Sequence, residues 1–488
     1  MTISASISRR SLLQAGAGAA IPLFAGCVSL PGAQPLPIDP AMQADWLWHR
    51  QLWMNNLGPR LTGNPAHLAF VDFIAAELAA MGLVVQEDVQ HFPRWEAGRS
   101  AIAVRENGLE ADAIAVASDY PYSASTGPDG ITGPLVFGGS VGAERSGVDL
   151  KDAILYLDAP VAPLEFGRLY DDVRRYGTLQ DFPAAVAQAS GQIVSAPGLE
   201  SYSERGAKAV ILGWTNISEE QAQGQYIPFN RPPQAIPGLW VGPGAATRLK
   251  SLAPSSPEIN LTLDAKVIPD AASRTVYAVV PGASDDLIIV TTHSDGPNAT
   301  EENGPLAKLA MARNLMQADP ASRSCSVLFV FASGHFVGPA AGSTDRFLEL
   351  HPEYRARAVA GLAVEHLGCM EWQDDASGRY APTGEAEMSL IFTHGDGMAD
   401  IAIAAARSSA DRRGAVVRAK DLTFFFGEGR PLARAGIPTI GFLPAPSYLL
   451  ATGRVGHIEK LDRGLFEAQV ALCQTLLERL LIRKRLGA

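Results

Sequence analysis

Apolar and polar positions follow two different periods along this chain, and the shorter period ends where the chemistry begins. In the second half, short runs of apolar and β-branched residues fall at 275–280, 287–291, 326–331, 360–364, 388–392 and 439–443. Such short, nearly unbroken runs read as strands buried on both faces, as in a mostly parallel sheet. Between and after them lie stretches with helical apolar spacing, at 305–316 and 462–481. Near the start, Trp46, Trp48, Leu52 and Trp53 mark a helix over 44–57 that stops at Gly58-Pro59. Asn64 as cap and Pro65 at the first helical position predict a second helix over 66–81, stopped by Gly82, with a strand starting at 83–85.

From about 100 to 265 the texture changes to short strands punctuated by Gly and Pro, at 133–138, 153–158, 206–212 and 236–241, with no catalytic cluster. Helix and strand alternation resumes only after that stretch, so it reads as a β-rich insertion into an α/β domain. The expected fold is therefore α/β: a mostly parallel central sheet flanked by helices, carrying an inserted β-rich domain. The boundaries are 43–100 and 266–488 for the two parts of the main domain and 101–265 for the insertion.

At 488 residues the chain is too long for one ordinary core. A net charge of −11 excludes a nucleic-acid partner, and Arg483, Lys484 and Arg485 read as a solvated helix end. Cys325, Cys369 and Cys473 are too scattered for a disulfide framework and read as small buried hydrophobes. Cys27 differs from these. It ends residues 1–30, where Arg9-Arg10 precede a short apolar run, the pattern of a twin-arginine export signal, and Phe24-Ala25-Gly26-Cys27 resembles a lipoprotein cleavage box. Two readings stand: lipid attachment at Cys27, which tethers the protein to a membrane, or a cleaved soluble signal. Either places the protein outside the cytoplasm, periplasmic or anchored at the envelope, with the Pro-rich 31–42 as tether.

The candidate chemistry sits at strand ends. His293 and Asp295 close the run at 287–291, and an extended backbone puts residues two apart on one face. Asp295 is thus placed to orient the His293 ring while the other nitrogen meets a metal. Glu301 and Glu302 follow at once, His335 ends the run at 326–331, and Glu365 and His366 end that at 360–364. Imidazole and carboxylate at three successive termini are the ligands a zinc-like ion takes, and ligands bind beyond the carboxyl ends of such strands. With every strand feeding the same edge, His394 ends a fourth run but reads as a loop residue, and His49, His67, His91 and His351 read as structural.

These residues resemble the zinc exopeptidases of the bacterial leucyl aminopeptidase and glutamate carboxypeptidase type that carry an inserted protease-associated domain. The likeness rests on 57–63 (Leu-Gly-Pro-Arg-Leu-Thr-Gly), 279–282 (Val-Val-Pro-Gly), His293-Ser294-Asp295 and Gly436-Ile437-Pro438, and covers nearly all of the chain after residue 30. It implies zinc ions bridged by an acid and a glutamate general base. The pattern departs in places: Thr300 stands where the bridging acid is expected, Gly334-His335 where base and ligand are expected, and Glu365 where the next acid ligand is expected. The last histidine ligand registers near Gly453, with His457 four residues late, and Glu428 corresponds to an acid near the specificity loop.

The implied set is a rearranged site for one or two zinc ions: His293, His335, Glu365, His366 and His457 as ligands, Glu302 or Glu301 as bridge or base, and Asp295 in support. The expected function is an exported metal-dependent hydrolase acting on a peptide or amino-acid conjugate. The alternative is a catalytically silent envelope protein that binds a partner, consistent with Gly334 at the base position. Ser333 as a nucleophile has no Gly-x-Ser-x-Gly turn around it.

Overall fold

The computed structural model describes residues 40–107, 109–337, 342–453 and 457–485. The expected export signal, Cys27 and the tether up to residue 39 lie outside the described residues. The first helix, Pro40–Asn56, begins ahead of its expected start and packs with the helices Pro65–Ala80, Gly304–Gln317 and Arg463–Arg485 on one face of the sheet. Asn64 caps the second helix as expected: its side-chain oxygen accepts from the His67 amide at 2.8 Å and its amide donates to the Pro59 carbonyl. No helix among the described residues is long and apolar enough to cross a membrane.

The α/β reading holds. Strand Leu287–His293 lies between Ser326–Ala332 and Ala358–Val364, parallel to both, and Thr439–Phe442 adds to the latter, also parallel. All seven residues of Leu287–His293 are buried, which accounts for its apolar run Leu287 to Val290 and for the β-branched threonines that follow. The carboxyl ends of these strands form one edge.

Not every strand of the sheet runs this way. Ser389–His394 is antiparallel to Thr439–Phe442, which pairs His394 with Thr439 and sends it to the opposite edge from His293. Beyond it lie two strands with no unbroken apolar run: Arg413–Ala419 and, at the rim, Tyr170–Gly177. The rim strand comes in sequence from the stretch expected as an insertion. Its buried and open positions alternate, so its composition (Tyr-Asp-Asp-Val-Arg-Arg-Tyr-Gly) is that of an edge.

On the other flank, Glu258–Val280 pairs antiparallel with both Ser326–Ala332 and Gln86–Glu106. These two long strands run on into a second layer, where Ile131–Ser140, Ile154–Pro160, Ala209–Thr215 and Gly238–Val241 pair in parallel. Their ladder shifts register around Pro93, which has no amide proton to donate. The second layer has its own core around Trp214, Trp240, Tyr120 and Tyr156, closed by Phe336, Leu449 and Leu450 from the chain's second half.

Replacing Asn64 with Ala removes both bonds of the cap. The expected cost is about 1 kcal/mol of unfolding free energy, read from urea denaturation, with an unchanged midpoint contradicting the cap's role.

Candidate metal centre

The loop after His293 is held by its backbone. Arg60 and Gly296 exchange main-chain hydrogen bonds at 2.7 and 3.0 Å, and a side chain at Gly296 would meet the Glu301 carbonyl at 1.6 Å. The Arg60 guanidinium, fully buried, donates to the carbonyls of Asn298, Glu301 and Glu302 at 3.0, 3.2 and 3.3 Å. Asn298 accepts from the amides of Thr300 and Glu301 and donates to the carbonyls of Tyr448, Leu449 and Ala451. The Glu301–Glu302 peptide bond is cis. At the far end Gly304 lies against Val364, whose carbonyl a side chain there would meet at 1.9 Å.

Both key imidazoles have their tautomer fixed by a carbonyl. His293 Nδ1 lies 2.7 Å from the Asp295 main-chain oxygen, and His366 Nδ1 lies 2.6 Å from the Pro444 oxygen. A carbonyl only accepts, so each Nδ1 is the donor and each Nε2 faces inward with its lone pair when the ring is neutral. Toward His293 Nε2 come Glu301 Oε1 at 3.3 Å, Glu302 Oε2 at 3.8 Å and Glu365 Oε2 at 3.9 Å. Toward His366 Nε2 come Glu301 Oε2 at 2.6 Å and Glu302 Oε2 at 3.4 Å. Glu301 thus lies between the two rings, while Thr300, where the resemblance expects the bridging acid, is buried beside it.

His293, Glu302, Glu365 and His366 bring one ligand atom each within 4.8 Å of one another, and so do His293, Glu301 and His335. His335 is the most open of these residues, with 24% of its side chain exposed, and its Nδ1 lies 3.1 Å from Glu428 Oε1. Its ring is stacked on that of His293, 4.1 Å away and 7° from parallel. Rings so stacked cannot both aim in-plane lone pairs at one ion at the roughly 2.0–2.1 Å of a zinc–nitrogen bond. A single ion therefore belongs to the buried four, and His335 faces a neighbouring position beside Glu301.

Two expected roles change. The bond that orients His293 comes from the main chain of Asp295. The Asp295 carboxylate oxygen is 3.5 Å from Nδ1, while its other oxygen accepts from Thr62 and from the Phe336 amide. His457 is not brought to the cluster: it sits in a left-handed turn with Nδ1 2.8 Å from Lys460 Nζ, outside both groups of ligands. Burial and that ammonium pull its ring down to about 4. His67 is packed and bonded to Gly63 and Ser294, as a structural histidine is.

Other residues do more than their sequence context indicated. Glu428 joins His335 to Glu365 by donating its own amide to Glu365 Oε1 at 2.8 Å, and Thr344 holds its Oε2. Lys308 is fully buried with its ammonium 3.9 Å over the Phe331 ring, and burial drives it well below its ordinary pKa. An arginine inside a Gly-Pro-rich segment and a lysine in an otherwise apolar helix were the available signals.

The donor set fits a divalent cation. His293 Nε2 and Glu302 Oε2 are buried with no hydrogen-bond partner, and His366 Nε2 and Glu301 Oε2, 2.6 Å apart, have none but one another. Buried polar atoms are rarely left so, unless an ion belongs among them. Burial, then the neighbouring carboxylates, push the carboxyl groups of Glu302 and Glu365 up to about 7 and about 8. The His366 ring, despite burial, is raised to about 9 by Glu301. Without a cation these groups hold protons in its place.

No protein-family model matches the sequence, and no curated protein matches it. Among solved structures the chain is similar to a peptidase M28 precursor from Shewanella amazonensis, at 16% identity over 90% of this chain and 95% of that one, TM-score 0.63. It is similar also to a zinc aminopeptidase from Bacillus subtilis, at 15% identity over 91% and 96%, TM-score 0.59. An aminopeptidase from Aneurinibacillus gives 15% identity over 89% and 93%, TM-score 0.58. The chain has a zinc-exopeptidase-like fold. Within this fold the buried His and Glu cluster occupies the carboxyl edge of the parallel strands, where ligands bind in open α/β sheets.

Ligation requires unprotonated groups, so zinc affinity should fall as the pH is lowered from about 9 to about 6, through the range set by His366, Glu365 and Glu302. Calorimetry in buffers of different ionisation enthalpy should show protons released on binding, and a flat affinity across that range would refute the assignment. Arg60→Met removes the Nη2 donor shared by three carbonyls together with the buried charge, and should weaken zinc binding about 10- to 100-fold. Competition with a chromophoric chelator measures this directly.

Proposed function

We propose that this protein is an exported, zinc-dependent hydrolase that cleaves an amide bond in a peptide or a small amino-acid conjugate. The observation that carries the reading is the convergence of His293, Glu302, Glu365 and His366 on one buried point, with unpartnered nitrogen and oxygen atoms facing it. Those four would hold a first ion, with Glu301 and His335 toward a second position. A bound zinc would supply Lewis-acid polarisation of the scissile carbonyl and a water acidic enough to attack at neutral pH.

The chain's own groups do the rest. Gly334, where the resemblance places the general base, has no side chain, so Glu301, which is not among the four ligands of the first ion, would take the proton from the attacking water. Arg60 and Asn298 fix the loop that carries Glu301 and Glu302, so both carboxylates keep their direction through the reaction. His335, the most open member, lies where substrate approaches, its ring set by Glu428 and packed against Phe229. The stretch 101–265 is read as a protease-associated domain, and the protein as carried out of the cytoplasm by its twin-arginine signal, with or without a lipid on Cys27.

A silent binding protein on the same scaffold is the second reading, favoured by the bare position at Gly334. Turnover separates the two. Zinc-loaded protein should hydrolyse members of an aminoacyl-anilide and dipeptide panel, and a chelator should abolish this. His293→Ala should lower kcat/KM at least about 100-fold, beyond the usual effect of altering groups that merely support metal ligands. Metal-free protein by elemental analysis, together with activity indifferent to His293→Ala, would defeat the proposal.

A further inference from the structure

A cavity of about 380 Å³ lies between the stretch that forms the rim strand and the hairpin Met370–Asp374/Tyr380–Ala386, and none of the residues assigned to the metal centre lines it. It belongs to the same edge of the sheet, since Ala445 in its wall follows Pro444, whose carbonyl holds His366. The volume is in the range of small-molecule sites.

Its charge is one-sided. Of the four carboxylates that line it, Asp181 pairs with Arg175 at 3.2 Å. Glu371, Asp374 and Glu387 remain against a single lining guanidinium, Arg413, which lies 2.9 Å from Glu371. Asp374 Oδ2 accepts from the Ser218 amide and Gln221, while its Oδ1 is buried with no hydrogen-bond partner. Burial, with Glu371 adding to it, pushes the Glu387 carboxyl up to about 8, so that it holds a proton which a bound cation displaces. An independent feature points the same way: Gln188 lines the cavity at 9% exposure, and its carboxamide makes no hydrogen bond among the described residues. A side chain buried to that degree ordinarily has a partner.

We propose that this cavity is a binding site for a small organic cation, an amine or guanidinium, whose charge is met by Asp374 and Glu387 and whose N–H is met by the Gln188 carboxamide oxygen. Glu371, already paired with Arg413, sets the wall and leaves the other acids to the ligand. The site is separate from the metal centre and does not depend on the hydrolysis proposed above.

Agmatine is a suitable probe, having a guanidinium and an amine but no scissile amide, with N-butylurea as its uncharged counterpart. Titration calorimetry on the full chain should show agmatine binding and no heat from N-butylurea. Glu387→Gln and Gln188→Ala should each weaken agmatine about tenfold or more, as expected for loss of a buried hydrogen bond to a charged group. His293→Ala and treatment with a chelator should leave its affinity unchanged, which separates this site from the metal centre. Thermal melts of both cavity variants at wild-type temperature show that the loss is local. Equal binding of N-butylurea, agmatine affinity insensitive to both substitutions, or absence of agmatine binding to the wild type overturns the proposal.

Discussion

At the centre of the molecule, buried carboxylates outnumber the groups able to neutralise them. Asp295, Glu301, Glu302, Glu365 and Glu428 are each 2% exposed or less. Two basic side chains, Arg60 and Lys308, are buried near them. Arg60 remains a cation at neutral pH, although burial lowers it to about 10, whereas burial drives the Lys308 amine well below its ordinary range. An uncompensated buried charge costs several kcal/mol. The deficit is met by protons on His293, His366, Glu302 and Glu365, or by a cation that replaces them. Stability and ligation are thus linked at the same atoms, and a cation displaces the protons because it satisfies several lone pairs at once.

The rest of the fold serves to keep that imbalance from relaxing. A carboxylate with room to turn would reach solvent, but the loop from Gly296 to Gly304 has no such room. It is packed backbone to backbone at both glycines, tied by Asn298 to the 448–451 segment, and spanned by one guanidinium from the 57–63 segment. The charge of Arg60 also lies against the carbonyls of the residues whose carboxylates it helps offset. This explains how an arginine with no carboxylate bonded to it is tolerated in the interior: its bonds go to main-chain oxygens and its field reaches Glu302, Asp295 and Glu301.

Legibility in the sequence followed the strength of local signals. The buried parallel strands were readable because a strand covered on both faces has no alternation of apolar and charged positions, and the helix at Pro65 because cap and proline are local chemistry. His293, Glu365 and His366 were readable as polar residues that end apolar runs. Strand direction was not. Ser389–His394 has the same composition as its parallel neighbours, and only its pairing with Thr439–Phe442 shows that His394 points to the other edge. Half-exposed edges such as Tyr170–Gly177 leave no unbroken run to find. Glu428 was placed only through the resemblance, as an acid near the specificity loop, because its contacts with His335 and Glu365, far away in sequence, leave no local signal. His457 was misplaced by counting along a loop whose left-handed turn and bond to Lys460 carry the ring elsewhere.

The same reasoning applies to the carboxylate that lies between the two imidazoles. A register set by glycines puts Thr300 at that place, yet the loop is held by its main chain, and the amides of Thr300 and Glu301 both bond to Asn298. With the backbone fixed, what matters is which carboxylate reaches the gap between the rings. Glutamate has one methylene more than aspartate, so an acid one residue later can cover a displacement that its main chain does not make. Glu301 does so, lying 3.3 Å from one imidazole and 2.6 Å from the other. Position 334 admits no such exchange: its backbone has φ +106°, a region that residues with side chains rarely adopt. A cluster of donor atoms can be assembled from neighbouring positions because an ion constrains only where the donor atoms end, whereas a glycine of this conformation offers no side chain to redirect.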